Sequence, residues 1–157
     1  MVLACVGSDR AAIRLVCVGR LRERHCVEAA GEYLRRLARY VRVETVEVRE
    51  CTDRNPEVAR RRESAAILDK TGVGEYIVAL DVQGRQYTST EFSELLRKPK
   101  LTFIVGGPDG LHGDVLEEAD LILSLSKMTF PHQLARVLLL EQIYRGYMIL
   151  GGGKYPR

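Results

Sequence analysis

The sequence predicts an α/β fold, a single-domain, open and mostly parallel sheet with helices on both faces. Three observations predict it. Five short apolar runs alternate with five segments of helical spacing, in the order βαβαβαβαβα. A run such as Ile77-Val78-Ala79-Leu80 is apolar throughout, as strands covered on both faces are. The 157-residue length suits one ordinary domain with a single core.

The elements follow in order. Ile13-Arg14-Leu15-Val16-Cys17-Val18 reads as a first strand, ended by Gly19. Cys26, Ala29, Ala30, Tyr33, Leu34, Leu37 and Tyr40 form the apolar stripe of a helix, with Arg35, Arg36 and Arg39 on its other side. Val41 to Val48 alternates apolar and charged residues, a second strand. Asn55-Pro56 is an N-cap followed by proline at the first helical position, and that helix should stop near Gly72. The third strand, Ile77 to Leu80, should end at Asp81, with Gly84 marking a turn. Thr88-x-x-Glu91 is a capping-box pattern ahead of the Phe92, Leu95, Leu96 helix. Leu101 to Val105 is the fourth strand, and Leu111 to Ala119 the next helix. Leu121 to Leu125 is the fifth strand, and Pro131 opens a last helix running to about Leu150.

Composition narrows the class. With 46% hydrophobic and 29% charged residues the chain reads as a globular protein rather than a disordered one. No apolar run approaches the roughly 18 residues needed to span a bilayer. Met1 to Gly7 is too short for a secretory signal and lacks a basic flank and cleavage site. The expectation is therefore a cytoplasmic protein with no membrane partner. Cys5, Cys17, Cys26 and Cys51 form no Cys-x-x-Cys pair; Cys17 and Cys26 read as small buried hydrophobes. Residues 1–62 hold 14 Arg and no Lys against 9 acids, whereas residues 63–157 hold 10 basic residues against 12 acids. A basic half facing nucleic acid and a solvated arginine face both account for this asymmetry.

The last helix carries only Arg136, Glu141, Gln142 and Arg145 as clearly polar residues between Leu134 and Leu150. Its apolar surface exceeds one stripe, which calls for two partners, its own sheet and something else. A homodimer interface satisfies this; so does a helix sunk deeply in its own domain.

Nucleotide and hydrolase motifs are missing. Gly19-Arg20-Leu21-Arg22 is no G-x-G-x-x-G turn, and Gly151-Gly152-Gly153-Lys154 is no Walker loop. There is no G-x-S-x-G elbow, and His25, His112 and His132 have no evident local partner. No His, Cys or Asp cluster has metal spacing, so neither a metal nor a covalent intermediate is expected. What stands out is two strand-to-helix loops near the carboxyl end, Gly106-Gly107-Pro108-Asp109-Gly110 and Ser126-Lys127-Met128-Thr129-Phe130-Pro131-His132. In open α/β sheets, ligands bind outside the carboxyl ends of strands.

Three blocks then carry a resemblance. They are Ile104-Val105-Gly106-Gly107-Pro108-Asp109-Gly110-Leu111, Leu123-Ser124-Leu125-Ser126-Lys127-Met128-Thr129-Phe130-Pro131-His132, and Arg136-Val137-Leu138-x-x-Glu141-Gln142-x-Tyr144-Arg145. Together they resemble the large-subunit ribosomal RNA methyltransferases that methylate N3 of a pseudouridine, within the SPOUT class. The likeness covers about residues 13–157, the methyltransferase domain, and leaves residues 1–12 as an N-terminal extension. It implies a C-terminal trefoil knot, a homodimer through the last helix, S-adenosylmethionine as cofactor, and ribosomal RNA in the ribosome or its large subunit as partner.

Carried over residue by residue, the resemblance places the methyl donor against Leu80, Gly107, Leu125, Ser126, Lys127, Met128, Thr129 and Phe130. Leu80, Leu125, Met128 and Phe130 suit an adenine, and glycine at 107 lets backbone approach closely. His132, Tyr155 and Arg157 are the catalytic expectations, Arg157 holding the nucleotide or its phosphate. Pro156 stands where the family has histidine in its tail. Two other readings stay open: a ribosome-associated RNA-binding protein without catalysis, and a SPOUT enzyme acting on transfer RNA. With no RRM or KH signature, recognition of RNA shape is expected.

Overall fold

Five parallel strands lie in the order β2-β1-β4-β3-β5, and every connection between them passes through a helix. The computed structural model describes residues 12–155. The expectations placed on residues 1–11, including Met1 to Gly7 and Cys5, and on Pro156 and Arg157 lie outside the described residues.

In chain order the elements are β1 (Ala12–Val18), α1 (Arg24–Leu37), β2 (Arg42–Val48), α2 (Pro56–Leu68), β3 (Tyr76–Gln86), α3 (Ser89–Leu95), β4 (Lys100–Val105), α4 (Gly113–Glu118), β5 (Leu121–Ser124) and α5 (His132–Leu150). Local sequence explains their starts. The Asn55 side chain accepts the Glu57 N–H with Pro56 at the first helical position. Thr88 and Glu91 form the complete capping box of α3.

Side-chain alternation along the central strands divides the core into two layers. Ile13, Leu15 and Cys17 of β1 join Leu101, Phe103 and Val105 of β4 under α1, α3 and α5. Val16, Val18 and Ile104 point to the other face, beneath α2 and α4. Cys17 and Cys26 are buried free thiols, the small hydrophobes expected of them.

One boundary is corrected. The third strand does not stop at Asp81; it continues to Gln86, and Leu80 and Arg85 both pair with Leu123 of β5. The residues between them arch out of the sheet as a bulge, and Gly84 returns the chain to β5 rather than turning it away. The helix expected from Leu111 begins at Gly113, because the His112 ring caps it by accepting the Asp114 N–H. α5 packs between α1 and α3 and against β4, which accounts for much of its wide apolar surface.

Candidate functional site

A cleft of about 840 Å³ opens over the carboxyl ends of β3, β4 and β5. Its walls are the arch Leu80–Gln83, the loop Val105–Leu111 and the segment Leu123–His132 without Lys127. Two walls follow the buried tips of β4 and β5, and the arch follows buried Val78 and Ala79 within β3, so a rigid sheet positions three otherwise irregular segments. The crevice between the tips of β1 and β4, by contrast, is a remnant of about 10 Å³ bordered by His132 and Arg136.

The β4 loop folds on itself. Gly110 N–H donates to the Gly107 carbonyl at 3.0 Å, closing a turn over Pro108 and Asp109. A β-carbon at Gly107 would lie 3.0 Å from Val18 Cγ1, so the glycine lets the loop settle onto β1. From outside, Arg60 of α2 donates to the Asp109 carbonyl at 3.3 Å and pairs with Glu57 at 2.6 Å. Glu57 in turn meets His112 Nε2 at 3.0 Å. Since His112 Nδ1 accepts a backbone N–H, its Nε2 is the nitrogen that donates to Glu57. The hydrogen bond from Arg60 first, with His112 assisting, holds the Glu57 carboxyl below its ordinary range. Arg60 Nε is buried at the cleft with no hydrogen-bond partner among the described residues.

The β5 segment is shaped by two serines. Ser124 Oγ donates to the Ser126 carbonyl at 2.8 Å, and Ser126 Oγ accepts the Met128 N–H at 3.0 Å. These bonds turn the chain so that Leu125, Ser126, Met128, Thr129 and Phe130 border the cleft, while exposed Lys127 does not. His132, the first residue of α5, borders it as well.

The structure therefore brings together Leu80, Gly107, Leu125, Ser126, Met128, Thr129, Phe130 and His132. It does not bring in Tyr155, which packs edge-on against Tyr144 at 5.2 Å with Arg145 stacked 4.4 Å over its ring. Burial first, then a hydrogen bond with Tyr33, push the Tyr155 phenol up. Sequence reasoning missed Arg60, whose helix reads as a solvated arginine face, and Asp81 to Gln83, hidden in the unexpected arch.

A family model described as "Predicted SPOUT methyltransferase" matches residues 11–156. This chain belongs to the SPOUT methyltransferase family. The protein named "Ribosomal RNA large subunit methyltransferase H" in Caldicellulosiruptor saccharolyticus is 42% identical over 92% of this chain and 99% of its own length. The protein of that name in Gloeobacter violaceus is 46% identical over 91% of this chain and 97% of its own. Among solved structures, a probable methylase family protein from Haemophilus influenzae shares the fold, with a TM-score of 0.57 at 13% identity, over 92% of this chain and 72% of that one.

For a SPOUT methyltransferase the chemical character of the cleft is apt. Apolar side chains of Leu80, Leu123, Leu125, Met128 and Phe130 offer flat contact surface, and loop amides and carbonyls offer directional hydrogen bonds. Among the described residues no group of three His, Cys, Asp or Glu side chains is arranged to hold a metal, and no helix is long and apolar enough to cross a membrane.

Proposed function

We propose that this chain is an S-adenosylmethionine-dependent methyltransferase acting on N3 of a pseudouridine in large-subunit ribosomal RNA, as a cytoplasmic homodimer. The observation that carries this is the cleft built from three strand-end loops in a SPOUT chain that matches ribosomal RNA methyltransferases along nearly its whole length.

The residues present fit the donor. The cleft volume lies within the usual range for small-molecule sites, about 300–1,000 Å³. Leu80, Leu125, Met128 and Phe130 would wall an adenine, and the turn Gly107–Gly110 presents backbone to a polar ligand. Bound there, S-adenosylmethionine supplies an activated methyl group, and the protein's share is orientation and exclusion of water. The target nitrogen must lose its proton, and in this proposal the imidazole of His132, which borders the cleft, accepts it.

Tyr155 and Arg157 enter this scheme through a second copy. Tyr155 packs on Tyr144, about 18 Å along α5 from His132 at 1.5 Å per residue. A tail anchored there serves a cleft across an interface better than the cleft of its own chain. The exposed Leu134 and half-buried Leu138 and Ile149 share one stripe of α5 and supply apolar surface for that packing. The C-terminal trefoil knot, and the division into an extension over residues 1–12 and a domain over 13–157, belong to the same proposal.

Mass spectrometry of ribosomal RNA from a strain lacking this gene tests it. The expected result is one missing methyl on a pseudouridine, restored by the wild-type chain. An unchanged methylation profile would overturn the assignment.

A further inference from the structure

Among the described residues bordering the cleft, Arg60 is the only lysine or arginine, and it is committed to Glu57 and the Asp109 carbonyl. A polyanionic substrate needs cations elsewhere. Beside the cleft, the loop between β1 and α1 carries Arg20 and Arg22.

That loop is held at both ends. Gly19 N–H donates to the Val48 carbonyl at 2.8 Å, tying its start to β2. Gln133 Oε1 accepts two backbone N–H groups, from Arg22 at 2.8 Å and Glu23 at 3.0 Å. Gln133 directly follows His132, so the clamp joins the loop to the cleft's edge.

The charges on the loop are nonetheless left available. The Arg20 side chain is 84% exposed and meets Glu47 only at 3.9 Å. Glu47 is already engaged by buried Arg136 at 2.8 Å. Arg22 is exposed, and among the described residues its side chain has no ion pair. A backbone pinned through a glutamine, carrying two exposed guanidinium groups of which only Arg20 has an ion pair, and that a long one, suits an external anion better than an internal one. Guanidinium also matches phosphate geometry in a way that a lone ammonium does not.

We propose that Arg20 and Arg22 are the RNA-phosphate contacts that seat the substrate strand over the cleft, with Gln133 as the positioning residue. This rests on the reading of the chain as an RNA methyltransferase. Phosphate contacts of this kind set register and orientation without reading bases.

The test compares wild type, the double variant R20Q/R22Q, and a control, R39Q/R42Q, which removes the same charge at the opposite end of the sheet, where Arg42 starts β2. Binding to large ribosomal subunits is measured across a salt series, donor binding by calorimetry, and methylation with subunits as the varied substrate. R20Q/R22Q should weaken subunit binding by about tenfold or more and lower the salt slope by between roughly one and two. KM for subunits should rise while donor affinity and melting temperature stay at wild-type values. The control should leave subunit binding unchanged, and Gln133→Leu should weaken it with both arginines intact. Wild-type binding by R20Q/R22Q, or an equal loss in the control, overturns the inference, as does a wild-type protein that binds donor but no subunit. A wild-type protein that takes up no donor defeats the methyltransferase reading itself, which the calorimetry shows separately.

Discussion

Gly84 sits against the carbonyl of Ile122: a β-carbon built on it would lie 2.8 Å from both the carbon and the oxygen of that group, and 2.7 Å from the carbonyl carbon of Leu123. These are backbone atoms of β5 and cannot swing aside. The contact explains why β3 can arch outward after Leu80 and still rejoin the sheet at Arg85. Gly84→Ala should therefore cost about 2 kcal/mol as overpacking, a fall in melting temperature of about 5 °C. Because the arch walls the cleft, donor affinity should drop with it. A variant that melts and binds donor like wild type would remove Gly84 from this role.

Gly107 poses a different question, because a β-carbon there meets the side chain of Val18 at 3.0 Å rather than fixed backbone. Gly107→Ala should push the β4 loop off β1 and weaken donor binding several-fold. Trimming the neighbour restores room, so the pair Gly107→Ala with Val18→Ala should recover donor affinity, at the expense of stability from the truncated valine. Calorimetry on the three variants decides the matter. No recovery in the double variant would mean that the glycine serves the ligand directly.

Glu63 offers a test by pH. It is 6% exposed on α2, and its Oε1 accepts the Cys51 N–H at 2.8 Å. Burial raises its pKa; the Cys51 N–H pulls the other way, and Glu50 and Asp109 add to the rise. A raised native pKa means that the native state holds the proton more tightly than the unfolded chain. Its stabilisation is present below the ordinary glutamate range and is lost as pH rises through the native value. Glu63→Gln keeps an acceptor for Cys51 without the charge. In urea melts, wild type should lose stability relative to E63Q as pH rises above the ordinary glutamate range. A relative gain over that rise would show that the carboxylate is stabilised where it lies.

These residues also show what the sequence could reveal. The Asn55 cap and the Thr88–Glu91 box are local patterns, so both were legible, and each helix starts where its pattern puts it. The cleft was legible in outline because its loops follow buried strands. Gly84 was misread because its role depends on β5, close in space but remote in sequence. The Glu57–His112 contact spans 55 positions, and no local spacing announces it. Arg60 was invisible for the same reason, since its partner Asp109 lies 49 positions away. The length of α5 was legible, but the packing of Tyr155 back onto Tyr144, which separates it from His132, depends on a tertiary contact that no local spacing announces.

Cys17 lies buried at the β1 tip, next to the arginine loop. Burial pushes its thiol up to about 11, against a smaller downward pull from Arg136 and with Glu47 adding to the rise. The native chain therefore keeps this proton between about pH 9 and 11, where an unfolded chain releases it. Stability from Cys17 is complete below pH 9 and is lost as pH climbs toward 11, up to about 2 to 3 kcal/mol for a shift of this size. Cys17→Ala cancels the linkage, so its deficit against wild type at pH 8 should shrink or reverse by pH 11 in paired urea melts. Alkylation supplies a second reading: native protein at pH 8 should be modified at half-buried Cys51 while Cys17 and Cys26 are spared. Removing the Arg136 charge by Arg136→Met takes away the one influence that favours the thiolate, and should carry the pH window higher still. A deficit that stays constant from pH 8 to 11, with Cys17 alkylated as fast as Cys51, would show that the β1 tip opens to water more readily than its packing implies.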